Sequence, residues 1–186
     1  SKPLPNGAKF DLDDNMPKYL HHNSELGEFV LASDSIGHTY SRVKSMSHIV
    51  DQIPPKEINS FFSLASTIGG FILFPARRID NKMTINGSRG LNPKIKDRFD
   101  LTLECIRRFY SNENSPLSDT LQRYSRFFSL FQDFKGYVDF FLLQDLVEEH
   151  YLAIKPFLPF NGFDYPPLPN NVEEYKSYKK NMMDFL

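Results

Sequence analysis

Arginine, lysine and asparagine alternate with glycine through the middle of this chain, in the run FPARRIDNKMTINGSRG at residues 74–90. A guanidinium presents paired N–H donors that match a phosphate or carboxylate. Gly87 and Gly90 permit tight turns that expose backbone N–H groups, and such concavities hold anions. Arg77, Arg78, Lys82 and Arg89 are therefore the expected ligand-binding cations, with Asn86 adding an amide contact. From Pro75 to Arg98 there are seven cations (Arg77, Arg78, Lys82, Arg89, Lys94, Lys96, Arg98) and two anions (Asp80, Asp97). That local charge of +5 stands against −6 for the rest of a chain whose net charge is −1. The imbalance points to a small anionic ligand or a nucleic-acid contact rather than to coating of a polyanion by charge alone. The plainer alternative is an exposed hairpin with a solvated cationic face. No Walker or Rossmann spacing is present, so no cofactor is expected.

A second set of residues could support acid–base work. Asp100, Glu104, Arg107 and Arg108 fall at i, i+4, i+7 and i+8, one charged face of a helix. Asp139 is a lone acid in a nearly all-apolar run, so it is expected either hydrogen-bonded in the core or facing a cavity. Asp34 sits between two serines with His38 close behind, but no GxSxG elbow accompanies them. An enzyme acting on a phosphoester or nucleotide would draw on Glu104, Asp139 or Asp34, with His38 as a further acid–base group. That reading requires two carboxylates and a cation to converge in one pocket. The histidines His21, His22, His38, His48 and His150 lack metal-type spacing, so no metal site is expected.

The elements that must position these groups are legible in the periodicity. Short strands are expected around Phe10, over KYLHH, and from Leu26 to Ser33. FILF, Phe71 to Phe74, reads as a buried strand stopped by Pro75. A hairpin over about 71–86 would return through Asp80-Asn81 to a strand KMTIN closed by Asn86-Gly87. Helical spacing links Val43 to Ile53, then Ile58 to Ile68 behind Pro55, with Gly69-Gly70 as the stop. A helix is expected from near Pro93 through Tyr110. Another runs from a Ser115 cap to Gly136. Tyr137 to Val147 is apolar nearly all round and is expected to be central. Asn171 and Glu174 are spaced as a capping box for a last amphipathic helix.

Together these predict an α+β fold, helix-dominated, with a small antiparallel sheet and five or six packed helices. One domain over 1–186 is expected, with an extended region at 1–38 and a helical body at 39–186. Eighteen Phe and nine Tyr with no Trp predict an aromatic core. The single cysteine, Cys105, cannot close an internal disulfide and suits a reducing, cytoplasmic compartment. No apolar run reaches the length of a membrane span, and the opening SKPLPNGAKF has no signal-peptide pattern. A protein partner or homo-oligomer is the third expectation, through the aromatic surface or the C-terminal helix.

The words KPLPNG, YLHHNSELGEF, QIPPKEI, STIGG, RIDNKMTINGSRG, DRFDLTLECIRR, SPLSDTL and GYVDFFLLQDLV cover nearly the whole chain. They resemble an uncharacterised family of bacterial proteins carrying a domain of unknown function. The resemblance implies a bacterial cytoplasmic protein of one domain, with further segments ahead of KPLPNG. It brings no activity or cofactor.

Overall fold

The computed structural model describes residues 2–3, 8–11, 18–23, 25–35 and 46–186. His38 lies outside them. The fold is α+β and helix-dominated. Five antiparallel strands form one sheet in simple chain order: β1 (Lys2–Pro3), β2 (Ala8–Asp11), β3 (Lys18–Asn23), β4 (Gly27–Ser35) and β5 (Phe71–Pro75). Strands β4 and β5 pair in register from Leu31 opposite Pro75 to Ser35 opposite Phe71. Alternation along a strand then fixes two faces. Asp34, Ile72 and Phe74 share one, and Leu31, Ser33, Phe71 and Leu73 share the other. Ile72 and Phe74 are fully buried.

Eight α-helical segments are present among the described residues. They are α1 (Ser47–Val50), α2 (Pro55–Ala65), α3 (Ile85–Leu91), α4 (Phe99–Tyr110), α5 (Ser118–Arg123), α6 (Ser125–Phe128), α7 (Phe134–Phe140) and α8 (Val172–Phe185). Pro55 sits in the first turn of α2, where its missing N–H costs nothing. Asn171 caps α8, its Oδ1 accepting from Glu174 N at 2.9 Å. Glu174 in turn reaches back to the backbone N–H of Asn170 at 2.7 Å.

Three expectations need correction. Residues 82–86 form no strand. Thr84 caps α3 by accepting from Gly87 N at 3.2 Å, so Asn86-Gly87 opens a helix rather than closing a hairpin. Asp80 and Asn81 do turn the chain, both in the left-handed region at φ 52° and 56°. The helix expected from Pro93 starts at Phe99, because Lys96 and Asp97 are both left-handed and break the preceding turns. The helix expected to run unbroken to Gly136 ends at a 3₁₀ turn, Ser129–Phe131, where Gln132 adopts φ 69°. Gly136 lies inside α7 instead. A Cβ there would meet the Phe131 carbonyl oxygen at 2.0 Å, so glycine is what lets the two segments touch.

One aromatic chain ties these elements together. Phe127 meets Phe131 at 5.3 Å, Phe131 meets Tyr137 at 5.2 Å, and Tyr137 meets Phe141 at 4.8 Å. Phe128 bridges to Phe109 on α4 at 5.1 Å. Offset and edge-on rings at these separations each contribute beyond their buried area. Tyr137, Val138, Leu143 and Leu146 are buried as expected of a central run, yet Leu142 in its middle is 76% exposed. No helix among the described residues is long and apolar enough to cross a membrane.

Candidate functional site

The chain leaves β5 at Pro75 and reaches α3 through the loop 76–84, which carries the basic residues at its surface. Three tethers fix this loop. Tyr124 Oη donates to Arg77 O at 2.9 Å, Arg123 Nη2 donates to Met83 O at 3.2 Å, and Lys82 N closes a turn on Ile79 O at 3.0 Å. Ile79 packs on the core, and Ile85 is fully buried one residue past the loop. Held at both ends and in the middle, the loop turns Arg77, Arg78 and Lys82 outward, all three exposed. Among the described residues none of these cations has a carboxylate partner. Asp80 is the only acid within the loop, also exposed.

Two groups that the sequence did not nominate join this surface. Arg123, at the end of α5, bonds Asp119 O and Thr120 Oγ1 as well as Met83 O, so its guanidinium is pinned beside the loop. The adjacent Tyr124 hydroxyl has its pKa raised by burial, while the positive charges of Arg123 and Arg78 pull it back down. Both cations therefore act on one hydroxyl. In the sequence Tyr124 reads only as a core position, and the helix numbering places Arg123 next to it without saying which loop they face.

Arg89 has a different place. Its side chain is fully buried, so it cannot be a surface contact of this loop. Nη1 donates to Asp34 at 2.8 Å and to Asp97 at 2.7 Å, Nη2 donates to Asp97 O at 2.6 Å, and Nε donates to Thr102 Oγ1 at 3.0 Å. Arg98 is buried likewise, paired through Nε with Asp100 at 3.0 Å and through Nη1 with Pro167 O at 3.1 Å. Lys94 pairs with Asp164 at 2.7 Å. The +5 segment thus divides: its C-terminal arginines build the interior, and its N-terminal cations face out. Asn86 lies between, half-buried in the first turn of α3, with a buried Oδ1 that finds no hydrogen-bond partner among the described residues.

The acids proposed for catalysis do not meet. Asp34 is committed to Arg89 on β4, and burial raises its pKa despite that cation. Glu104 is buried and accepts from Arg107 at 2.8 and 3.0 Å and from Arg108 at 2.7 Å. Arg107 also holds Glu113 at 3.2 Å, which lowers the Glu113 pKa. Asp139 is neither a core acid nor a cavity acid. It lies on the solvent side of α7 and accepts from Lys135, from Tyr151 Oη at 3.0 Å and from Gln144 Nε2 at 3.2 Å. The Lys135 bond, then the Tyr151 bond, pulls its pKa down. Each acid has its own cation in its own place, the arrangement of structural ion pairs. Among the described residues no three His, Cys, Asp or Glu side chains come together as a metal-binding group.

Over residues 1–186 the chain matches, and belongs to, a family described as a family of unknown function (DUF6994). No curated protein and no solved structure matches it.

Proposed function

We propose that this protein binds a phosphate-bearing ligand, a nucleotide or a short stretch of nucleic acid, on the 76–84 loop in a bacterial cytoplasm. The observation that carries the reading is that Arg77, Arg78 and Lys82 are all exposed on one tethered loop whose only acid is Asp80, with Arg123 of α5 bonded to that loop at Met83 O. Arg77, Arg78 and Lys82, exposed and without a carboxylate partner among the described residues, cost little to hold apart in water. Their value lies in the field they project toward an incoming anion. Tethering matters as much as charge, because a pre-fixed backbone loses less freedom on binding. Arg89 contributes here at one remove, by holding Asp97 and the start of α4 against α3.

Mononucleotides and short oligonucleotides, titrated at low and high salt, test the reading. Affinity is expected to fall steeply as salt rises, and Arg77→Ala with Arg78→Ala is expected to weaken binding about tenfold or more at low salt. Binding that ignores both salt and these substitutions, or no binding at low salt, would refute it.

A further inference from the structure

A cleft lies away from the cationic loop, where β5 meets the ends of α7 and α8. Phe71 and Leu73 face it from the side of the sheet opposite buried Ile72 and Phe74. With Phe140, Phe141, Leu142 and Phe185 they line a half-open cleft of about 570 Å³. Small-molecule sites span roughly 300–1,000 Å³ and are mostly apolar with a few placed polar groups. Phe71 is 41% exposed, although its ring is large and apolar.

Leu142 is the least expected member. It occupies the position just past the end of α7, where Leu143 N bonds Val138 O at 2.9 Å and Leu142 N bonds Asp139 O at 3.3 Å. That turn requires the left-handed region, which Leu142 adopts at φ 56°, and glycine is the ordinary residue there. Leucine is strained at this φ and also exposes an apolar side chain to water over the cleft. Residues held against both preferences gather at ligand sites.

Asp145 and Phe185 also line a neighbouring groove of about 280 Å³, of mixed polar and apolar character, that presents Lys155, Asn181 and Asp184. Asp184 is already paired with Lys180 at 2.5 Å. Asn181 Nδ2 donates to Phe157 O at 2.9 Å, which fixes the amide. Asp145 lines both the cleft and the groove, and Lys155 lines the groove. A carboxylate at the mouth of the apolar cleft and an ammonium in the adjoining groove thus stand without a charged partner among the described residues. A purely cationic or purely anionic amphiphile would satisfy one of them and leave the other.

We propose that this cleft binds a small zwitterion with an apolar body, an aromatic or branched aliphatic α-amino acid being the simplest member. Its ammonium would pair with Asp145, its carboxylate with Lys155, and its side chain would rest on Phe71, Leu73 and Leu142. The site is independent of the phosphate reading and shares no residue with it.

Calorimetric titration of the full chain with L-phenylalanine, 2-phenylethylamine and 3-phenylpropionate separates the two charges. Phenylalanine is expected to bind at least about tenfold tighter than either single-charge probe. Asp145→Asn should bring phenylalanine down to the level of phenylpropionate, and Lys155→Gln to that of phenylethylamine. Leu142→Gly should raise the melting temperature while weakening phenylalanine binding, and Arg77→Ala should leave it unchanged. No binding of phenylalanine at millimolar concentration overturns the proposal. So does equal binding of all three probes, or an affinity indifferent to both Asp145→Asn and Lys155→Gln.

Discussion

Replacing Arg89 with methionine keeps much of the side-chain volume and removes the guanidinium from the interior. Four hydrogen bonds go with it: those to Asp34, Asp97, Thr102 and the Asp97 carbonyl. The substitution also leaves two carboxylates facing the gap without the charge between them. Breaking a buried ion pair by removing one partner costs about 3–5 kcal/mol. Asp34 and Asp97 keep 31% and 20% of their side-chain surface in water, so both can be partly rehydrated. The low end, about 3 kcal/mol, is therefore the expected loss. For a chain of this size each kcal/mol moves the melting temperature by about 2–4 °C, which puts the shift at roughly 6–12 °C.

Urea unfolding followed by circular dichroism would measure the loss directly. The Arg89→Met variant should unfold at lower urea with an unchanged slope, since the surface exposed on unfolding stays the same. Arg89→Lys should recover only part of the stability, because one ammonium cannot reproduce the fork that reaches Thr102 and both Asp97 groups. Nucleotide affinity per folded molecule should fall far less in either variant than in the Arg77→Ala/Arg78→Ala double variant, since Arg89 makes no surface contact. A loss under about 1 kcal/mol would refute the assignment of Arg89 as an interior tie. Selective loss of nucleotide binding with intact stability would refute the division of the basic segment into interior and surface halves.

Other consequences follow from single observations. Asp34 has a folded-state pKa above its ordinary 3.8, with burial outweighing Arg89. Its contribution to stability is therefore full below the unfolded value and lost as pH rises through the folded one. Stability measured against pH should fall less steeply across that window in Asp34→Asn than in the parent, and an equal or steeper fall counts against it. Burial pushes the Cys105 thiol up to about 12, so the native protein should resist a thiol-specific disulfide reagent at mildly alkaline pH and react fully once unfolded. Native-state labelling at the unfolded rate would contradict this. Gly136→Ala should cost about 2 kcal/mol or more, since the added Cβ meets a backbone carbonyl rather than a movable side chain. A neutral result in thermal melts would show that α7 can shift away from Phe131.

The parts of the fold that rest on strong local periodicity were legible in the sequence. Strands β3, β4 and β5, the proline-started α2 and the Asn171-capped α8 all fall where residue patterns place them. Breaks written into left-handed, non-glycine residues were not legible. Lys96-Asp97, Gln132 and Leu142 each end or delay an element, and of these only Asp97 is a residue type that favours a positive φ. Asn86-Gly87 misled in the opposite direction. The pair is a strong turn signal, but Thr84 two residues earlier supplies a helix cap, and the tertiary burial of Ile85 decides in its favour. Within the candidate site, composition identified the basic loop but could not separate its arginines. The separation depends on Asp34, distant in sequence, which β4 carries to Arg89.

That separation has a physical logic. Seven cations concentrated in one segment would repel one another if all faced solvent on a short loop. Burying Arg89 and Arg98 against Asp34, Asp97 and Asp100 neutralises two of them, and the same bonds anchor α3 to β4 and to the start of α4. The surface loop then hangs from elements held by charge pairs at 0–2% arginine exposure, where salt screens little. Arg77, Arg78 and Lys82 sit in high dielectric, where their mutual repulsion is small and salt-sensitive. Salt should therefore act on the two halves unequally. It should erode ligand binding on the loop long before it loosens the interior pairs that hold the loop in place.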